Sequence, residues 1–425
     1  MKKTTSKIIA VTVLPILFVA MLVLYMTGIL GSEKRKIDDI ENYALSFDDF
    51  TIPTDARAIG IGEATHGNHE FQVAKLEVLQ KLVETGNCKS LSLEISVGEG
   101  AYINDAIHNK DDVDFEELVG ELDYPLYDTP DMANLFKWMK EYNEGRSYED
   151  SVAFYGVDMQ GSHWGVKYLL PFCKEFPNEF GDDVITKLTA LDDDPDTDTL
   201  NDEQFFKDLK EKLLSVKDPR HEIAALVAES VLEDIASPSF SEDANSYGEY
   251  RDSSMAKNFK IISEIEERRG YSQVLISAHN GHVMRGPAES YGEISMGSHI
   301  DKLFDGKYFI IGTEFYNSCD NIHTAGTYDE EYERKNHNFC SSDRLAFQAK
   351  DFEDERYVLV FDDVTDTKSD VYDIIHHMNF TGVMGEGYTF YVDIYKSYRT
   401  KLIVADRYDA MIYYYDVTPI ETIHY

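Results

Sequence analysis

The chain has 425 residues, enough for two or three ordinary domains or one large α/β domain. Its 43% hydrophobic and 12% aromatic content supports a sizeable core and excludes a mostly disordered chain. With 40 basic against 79 acidic residues the net charge is −39, a surface that repels phosphate backbones and argues against nucleic acid as a partner.

Residues 1–7, MKKTTSK, form a short basic tail, and the following stretch 8–31 carries no charge. At about 1.5 Å per residue such a stretch reaches about 36 Å as a helix, against a bilayer core of about 30 Å. It exceeds a signal-peptide core and no small-x-small cleavage site follows, which points to an uncleaved signal anchor. Lys2, Lys3 and Lys7 before it balance Lys34, Arg35 and Lys36 after it, so flanking charge does not set the orientation. A short basic tail usually stays in the cytoplasm. The expectation is therefore a single-pass protein of the cell membrane with an extracytoplasmic catalytic domain. Residues 32–50 read as a tether and first helix, and 51–425 as the main folded domain.

Short β-branched and aromatic runs then recur at 56–62, 90–96, 152–158, 273–279, 308–315, 357–363 and 409–416, as buried strands do. Between the first two, Phe71, Ala74, Val78, Leu79, Leu82 and Val83 keep helical spacing, Asn68 stands at the N-cap position and Gly86 supplies the stop. Strand, helix and strand at that spacing predict a parallel, right-handed unit. Residues 162–265 lack strand runs. Two amphipathic helices and an acidic loop at 191–203 predict a helical subdomain inserted between strands. The fold expected is α/β, a central, mostly parallel mixed sheet flanked by helices, with that helical subdomain, after an N-terminal transmembrane helix. Of the four cysteines none forms a CxxC pair, which removes a zinc ribbon, while Cys319 and Cys340 could bridge in an extracytoplasmic domain.

Several predicted strands end in residues that move protons or bind metal: Glu63 and His66, Glu94, Asp158, then His279 and His282, with Glu314 on the fifth. In open parallel sheets, ligands bind beyond the carboxyl ends of the strands, so these residues gather on one edge. One strand-end carboxylate is usually a cap; four strands sharing the habit point to a shared site. Gly62 and Gly67 allow tight turns with positive φ around His66. Beside a helix N-terminus His66 would stay neutral, the form a general base needs, with Glu63 orienting it. A buried Glu94 needs a partner, Lys75 or a histidine. There is no GxSxG elbow, phosphate loop, GxGxxG or HExxH. The remaining acid/base cluster either activates water directly or holds a divalent metal through Glu63, His66, Glu94 and His279.

The stretches GEATHGNHEF (62–71), LSLEIS (91–96), FYGVDMQG (154–161), YRDSSMAKN (250–258), SAHNGHV (277–283) and RYDAMIYYYDVTP (407–419) resemble the erythromycin esterase family. The likeness runs over about residues 40–420. It implies an α/β fold with a large helical part beside a cleft, and hydrolysis of an ester, in known members the macrolactone of erythromycin-type antibiotics. It implies His66 as general base for water, with Glu63, Glu94, His279 and His282 as further site residues and Lys75 standing where the family typically has arginine. Asp158 and Arg251 are expected to contact the substrate. The reading is thus a membrane-anchored hydrolase of a small-molecule ester or macrolide-like substrate, without cofactor. A metal-dependent hydrolase or peptidase using the same cluster, and a surface binding protein that kept the fold, are the alternatives.

Overall fold

The computed structural model describes residues 13–24, 36–109, 112–193, 202–287, 294–324 and 333–425. Of the expected membrane segment only 13–24 is described, a helical stretch whose apolar side chains are exposed. Residues 8–12 and 25–31 lie outside the described residues, and among the described residues no helix is long and apolar enough to cross a membrane.

The sheet is built from β1 (Ala58–Glu63), β2 (Ser90–Ser96), β3 (Ala153–Asp158), β4 (Val274–His279), β5 (Tyr308–Thr324), β6 (Arg334–Cys340), β7 (Arg356–Val360), β9 (Gly387–Tyr388) and β11 (Ala410–Val417); β8 (Asn379–Gly382) and β10 (Arg399–Leu402) form a separate antiparallel pair. The main order is β3-β2-β4-β1-β5-β11-β7. Its first six strands run parallel, β7 is antiparallel to β11, and β6 folds back antiparallel on β5. The seven predicted strands lie where the runs placed them, and β5 continues past residue 315 to Thr324. The expected mixed, mostly parallel sheet is present.

Buried parallel strands must be apolar on both faces. Ile59, Ile61, Leu91 and Leu93 join one core, while Ala58, Tyr155, Val274 and Ile276 join another on the opposite face. Helix α1 (His69–Thr85) lays Phe71, Ala74, Val78 and Leu82 on the first core. It ends at Gly86, which takes a left-handed φ of 75°. Helix α2 (Val97–Asn109) follows β2 directly. The described part of 162–269 has five helices and no strand: α3 (Ser162–Glu175), α4 (Pro177–Asp193), α5 (Glu203–Leu214), α6 (Pro219–Ala236) and α7 (Ala244–Arg269). Leu169, Phe206, Val227 and Phe259 of this group close the second core.

Three local expectations change. Gly62 and Gly67 do not use positive φ; they permit close approach. A Cβ on Gly62 would stand 2.2 Å from Asn280 Oδ1, and one on Gly67 2.7 Å from the Asn321 backbone. Asn68 occupies the N-cap position of α1 without capping it; its side-chain amide donates instead to the carbonyls of Cys319 and Thr418, at 3.0 and 3.1 Å, tying β5 and the end of β11 to the turn. Cys319 and Cys340 are both free thiols. In the β5–β6 register Cys319 faces Asn338 and Cys340 faces Asn317, so the two are not opposite each other.

Candidate active site

β3, β2, β4 and β1 are consecutive in the sheet and parallel, so their carboxyl ends form one row. Asp158, Glu94, His279 and Glu63 stand along it in that order, although up to 216 residues separate them in sequence (279 − 63). Glu63 and His279 are direct register partners.

The β1 end carries the tightest arrangement. Glu63 Oε1 accepts the Nδ1–H of His66 at 2.8 Å, and its Oε2 is held by the Lys75 ammonium one helical face away. Glu63 and Lys75 are almost wholly buried, at 2% and 1% exposure. Burial alone would raise the Glu63 carboxyl, but the Lys75 charge and the His66 hydrogen bond outweigh it and hold the pKa down at about 2. Burial disfavours a charged His66, yet its hydrogen bond to Glu63 and the charges of Glu63, Glu94 and Glu386 raise its pKa above the ordinary value. The electrostatics of His66 are therefore set by a carboxylate in contact and not, as expected, by a helix N-terminus. The effect is a more basic imidazole with a fixed ring. Lys75 pairs with Glu63, not with Glu94.

His279 stands across from His66, with ring centroids 4.9 Å apart. Its Nδ1 accepts the Gly281 N–H at 3.2 Å, capping the short helix α8 (Asn280–Val283). This places the hydrogen on Nε2, which is buried and has no partner. Burial, reinforced by the positive charges of His66 and His282, lowers its pKa to about 3. His279 is thus a neutral donor aimed at nothing in the described protein.

The second cluster uses the same residue types differently. Arg251 of α7 donates to Asp158 Oδ2 through Nε at 2.9 Å and Nη2 at 2.6 Å, and to Glu94 Oε1 at 2.8 Å. His282 gives Nδ1–H to Asp252 at 2.7 Å, and its Nε2 lies 3.3 Å from Glu94. Burial opposes its charge, but Glu94 and Asp252 raise its pKa to about 9. Burial likewise pushes Glu94 up, and His282 and Arg251 pull it well below the usual carboxylate range. Glu94 Oε2 accepts the His279 backbone N–H at 3.0 Å, which couples this cluster to the donor histidine.

His66, Arg251, His279 and His282 line a cleft of about 490 Å³. Its further wall comes from the C-terminal wing: Val383, Met384, Ser397 and Arg399. The Met384 N–H donates to the Ala64 carbonyl at 2.9 Å, clipping the wing to the turn between β1 and α1. Glu314, which the strand pattern put with the site, holds the wing from behind by accepting the Gly382 N–H at 2.9 Å. Asp158, expected to meet substrate, is fully buried under Arg251 and turns to it and not to the cleft. Sequence reasoning missed Asp252, though it sits beside Arg251, and missed the wing, whose only signal was the three glycines Gly382, Gly385 and Gly387. Among the described residues no group of three or more His, Cys, Asp or Glu side chains is arranged to hold a metal. Of the four alternative ligands, Glu63 faces His66 and Lys75, and Glu94 faces Arg251, His282 and the His279 amide. Both carboxylates are already neutralised by cations.

A family model described as erythromycin esterase matches residues 83–417, beginning after Glu63, His66 and Lys75. An Escherichia coli protein named erythromycin esterase type II is 25% identical over 118 residues, 27% of this chain; the chain spans about a quarter of that relative's length. Three solved structures share the fold. A Bacillus cereus protein matches with a TM-score of 0.71 at 17% identity, covering 91% of this chain and 98% of its own. A succinoglycan biosynthesis protein gives 0.68 at 17%, covering 87% and 90%. A mutant of the erythromycin esterase EreC in its open conformation gives 0.59 at 15%, covering 88% and 93%.

Proposed function

The chain belongs to the erythromycin esterase family, and from that premise we propose that it cleaves an ester or lactone with His66 as the general base for water. The observation that carries this is the 2.8 Å hydrogen bond from His66 Nδ1 to a carboxylate that Lys75 keeps ionised. It fixes the tautomer with the lone pair on Nε2, at the cleft. A water there loses its proton to Nε2 as its oxygen bonds to the ester carbon. The Nε2–H of His279 donates to the carbonyl oxygen as charge builds on it, the role of a preorganised oxyanion donor. Collapse breaks the carbon–oxygen ester bond, and His66 returns the proton to the departing alkoxide, leaving an acid and an alcohol. Asp158 and Asp252 hold Arg251 and His282, these two cations hold Glu94, and Glu94 holds the His279 amide.

The substrate proposed is a small-molecule ester, with a macrolide-like lactone as the case suggested by the named relatives. The two carboxylates that a metal would need are spoken for by cations, and the reaction proposed runs on side chains and water. We further propose that residues 8–31 tether the enzyme to the cell membrane with its catalytic domain outside; partition of the full chain into the carbonate-resistant membrane fraction tests this.

The experiment for the chemistry is His66→Ala assayed on a panel of esters and macrolides. A loss of about 10²–10⁴-fold is expected for a general base, and unchanged turnover would remove the assignment. The same panel after chelation separates the metal reading, since abolished activity restored by a divalent cation would favour it.

A further inference from the structure

Two buried donors of the cleft residues lack a partner: His279 Nε2–H, assigned above to the ester oxygen, and Nη2 of Arg399. Arg399 opens β10, opposite Gly382 of β8, and its Nε–H donates to the Cys340 carbonyl at 2.7 Å. That bond fixes the plane of the guanidinium. Among the described residues no carboxylate pairs with Arg399. The charged neighbour it does have is Lys396, whose ammonium is lowered by burial and then by Arg399 itself.

The contrast with the rest of the cleft is sharp. Arg251 is matched by Asp158 and Glu94, His282 by Asp252 and Glu94, and Lys75 by Glu63. The chain carries 79 acidic residues, so a counter-ion for Arg399 was not hard to supply. A buried polar nitrogen without a partner calls for an explanation, and a guanidinium held in one plane matches the oxygens of a carboxylate.

We propose that Arg399 is an anion subsite of this cleft, and that the substrate is an ester bearing a free carboxylate at a distance from the bond that is cut. Arg399 binds that carboxylate while His279 and His66 act on the ester. The inference rests on the esterase reading for the word ester, and on Arg399 alone for the charge.

The test uses the full chain and two nitrophenyl esters of equal length, the hemiglutarate and the pentanoate, which differ in a terminal carboxylate against a methyl. The KM of the hemiglutarate is expected to be about tenfold lower, the size of one charge-assisted hydrogen bond. In Arg399→Gln the gap between the two esters closes, with the change in KM and not in kcat; Arg399→Lys, which keeps the charge without the fork, restores part of it. A gap that persists in Arg399→Gln overturns the subsite. Glutarate itself, titrated calorimetrically, keeps the two claims apart. Binding that is lost in Arg399→Gln supports the subsite even if neither ester is hydrolysed, in which case only the esterase reading falls. No glutarate binding to the unaltered chain overturns the subsite.

Discussion

His66 and His282 both pass Nδ1–H to a carboxylate, at 2.8 Å to Glu63 and 2.7 Å to Asp252. Both line the same cleft and both have raised pKa values. They part at the second nitrogen. Nε2 of His282 lies 3.3 Å from Glu94, in a net that also contains Arg251 and Asp158, whereas Nε2 of His66 is left for the cleft. Residue type and burial do not separate a working histidine from a bracing one; the unfilled hydrogen-bonding valence does.

Exchanging each ring for an amide separates the two histidines. His66→Asn is expected to lower kcat/KM by about 10²–10⁴-fold, the usual range for a lost general base, while the thermal midpoint moves little because only one hydrogen bond of a cleft residue is altered. His282→Asn is expected to do the reverse, lowering the midpoint clearly and the rate less. Ester kinetics and calorimetry on the same preparations check both. If His282→Asn proves the slower enzyme at equal stability, the roles are exchanged.

The bracing cluster is tested next through its cation. Arg251→Met leaves Glu94 and Asp158 buried without their main partner, and breaking a buried pair from one side costs about 3–5 kcal/mol; denaturant unfolding reads it. The pH dependence has a definite sign. His282 has a folded pKa of about 9 against an ordinary 6.5, so its stabilising share is complete below pH 6.5 and fades as pH rises to 9. Glu63 works at the other end: its share is present above pH 4.5 and fades as pH falls through about 2. Between pH 6.5 and 9 unfolding free energy should drop by about 2–3 kcal/mol on this account, and His282→Asn should flatten that slope.

How much of this was legible beforehand follows the same physics. The strands were legible because burial on both faces of a parallel sheet leaves apolar runs, as in Val152–Val157 and Tyr308–Gly312. The strand-end residues were legible because the topology rule needs only that strands be parallel, not which ones are neighbours. The pairings were not. Sequence offered Lys75 to Glu94, but β4 lies between β1 and β2, so Lys75 meets Glu63 and Arg251 meets Glu94. Glu314 looked like a site residue because it sits in a strand of the same kind, yet it points to the Gly382 amide behind the wing. The wing itself, β8 to β10, is short and polar and carries no periodic pattern. Its place over the cleft is fixed by distant contacts such as Met384 to Ala64, which local sequence cannot encode.

The smallest expected effect is also the most direct test of why the two histidines differ. The carboxylate of Glu63 favours the protonated form of His66, so its pKa lies above 6.5 and the neutral base accumulates only as pH rises through it. The rate should therefore climb with pH and level off above that value. His279, whose pKa burial lowers to about 3, stays neutral over that range. Glu63→Gln removes the charge, and Lys75, now without its counter-ion, adds its own repulsion in the same direction. The limb should move to lower pH, with a lower plateau because the base is weaker and less well oriented. The matching change at the other cluster, Asp252→Asn, should leave this limb in place, because Asp252 bonds His282 and not His66. A limb that moves with Asp252 and not with Glu63 would assign the titrating base to His282.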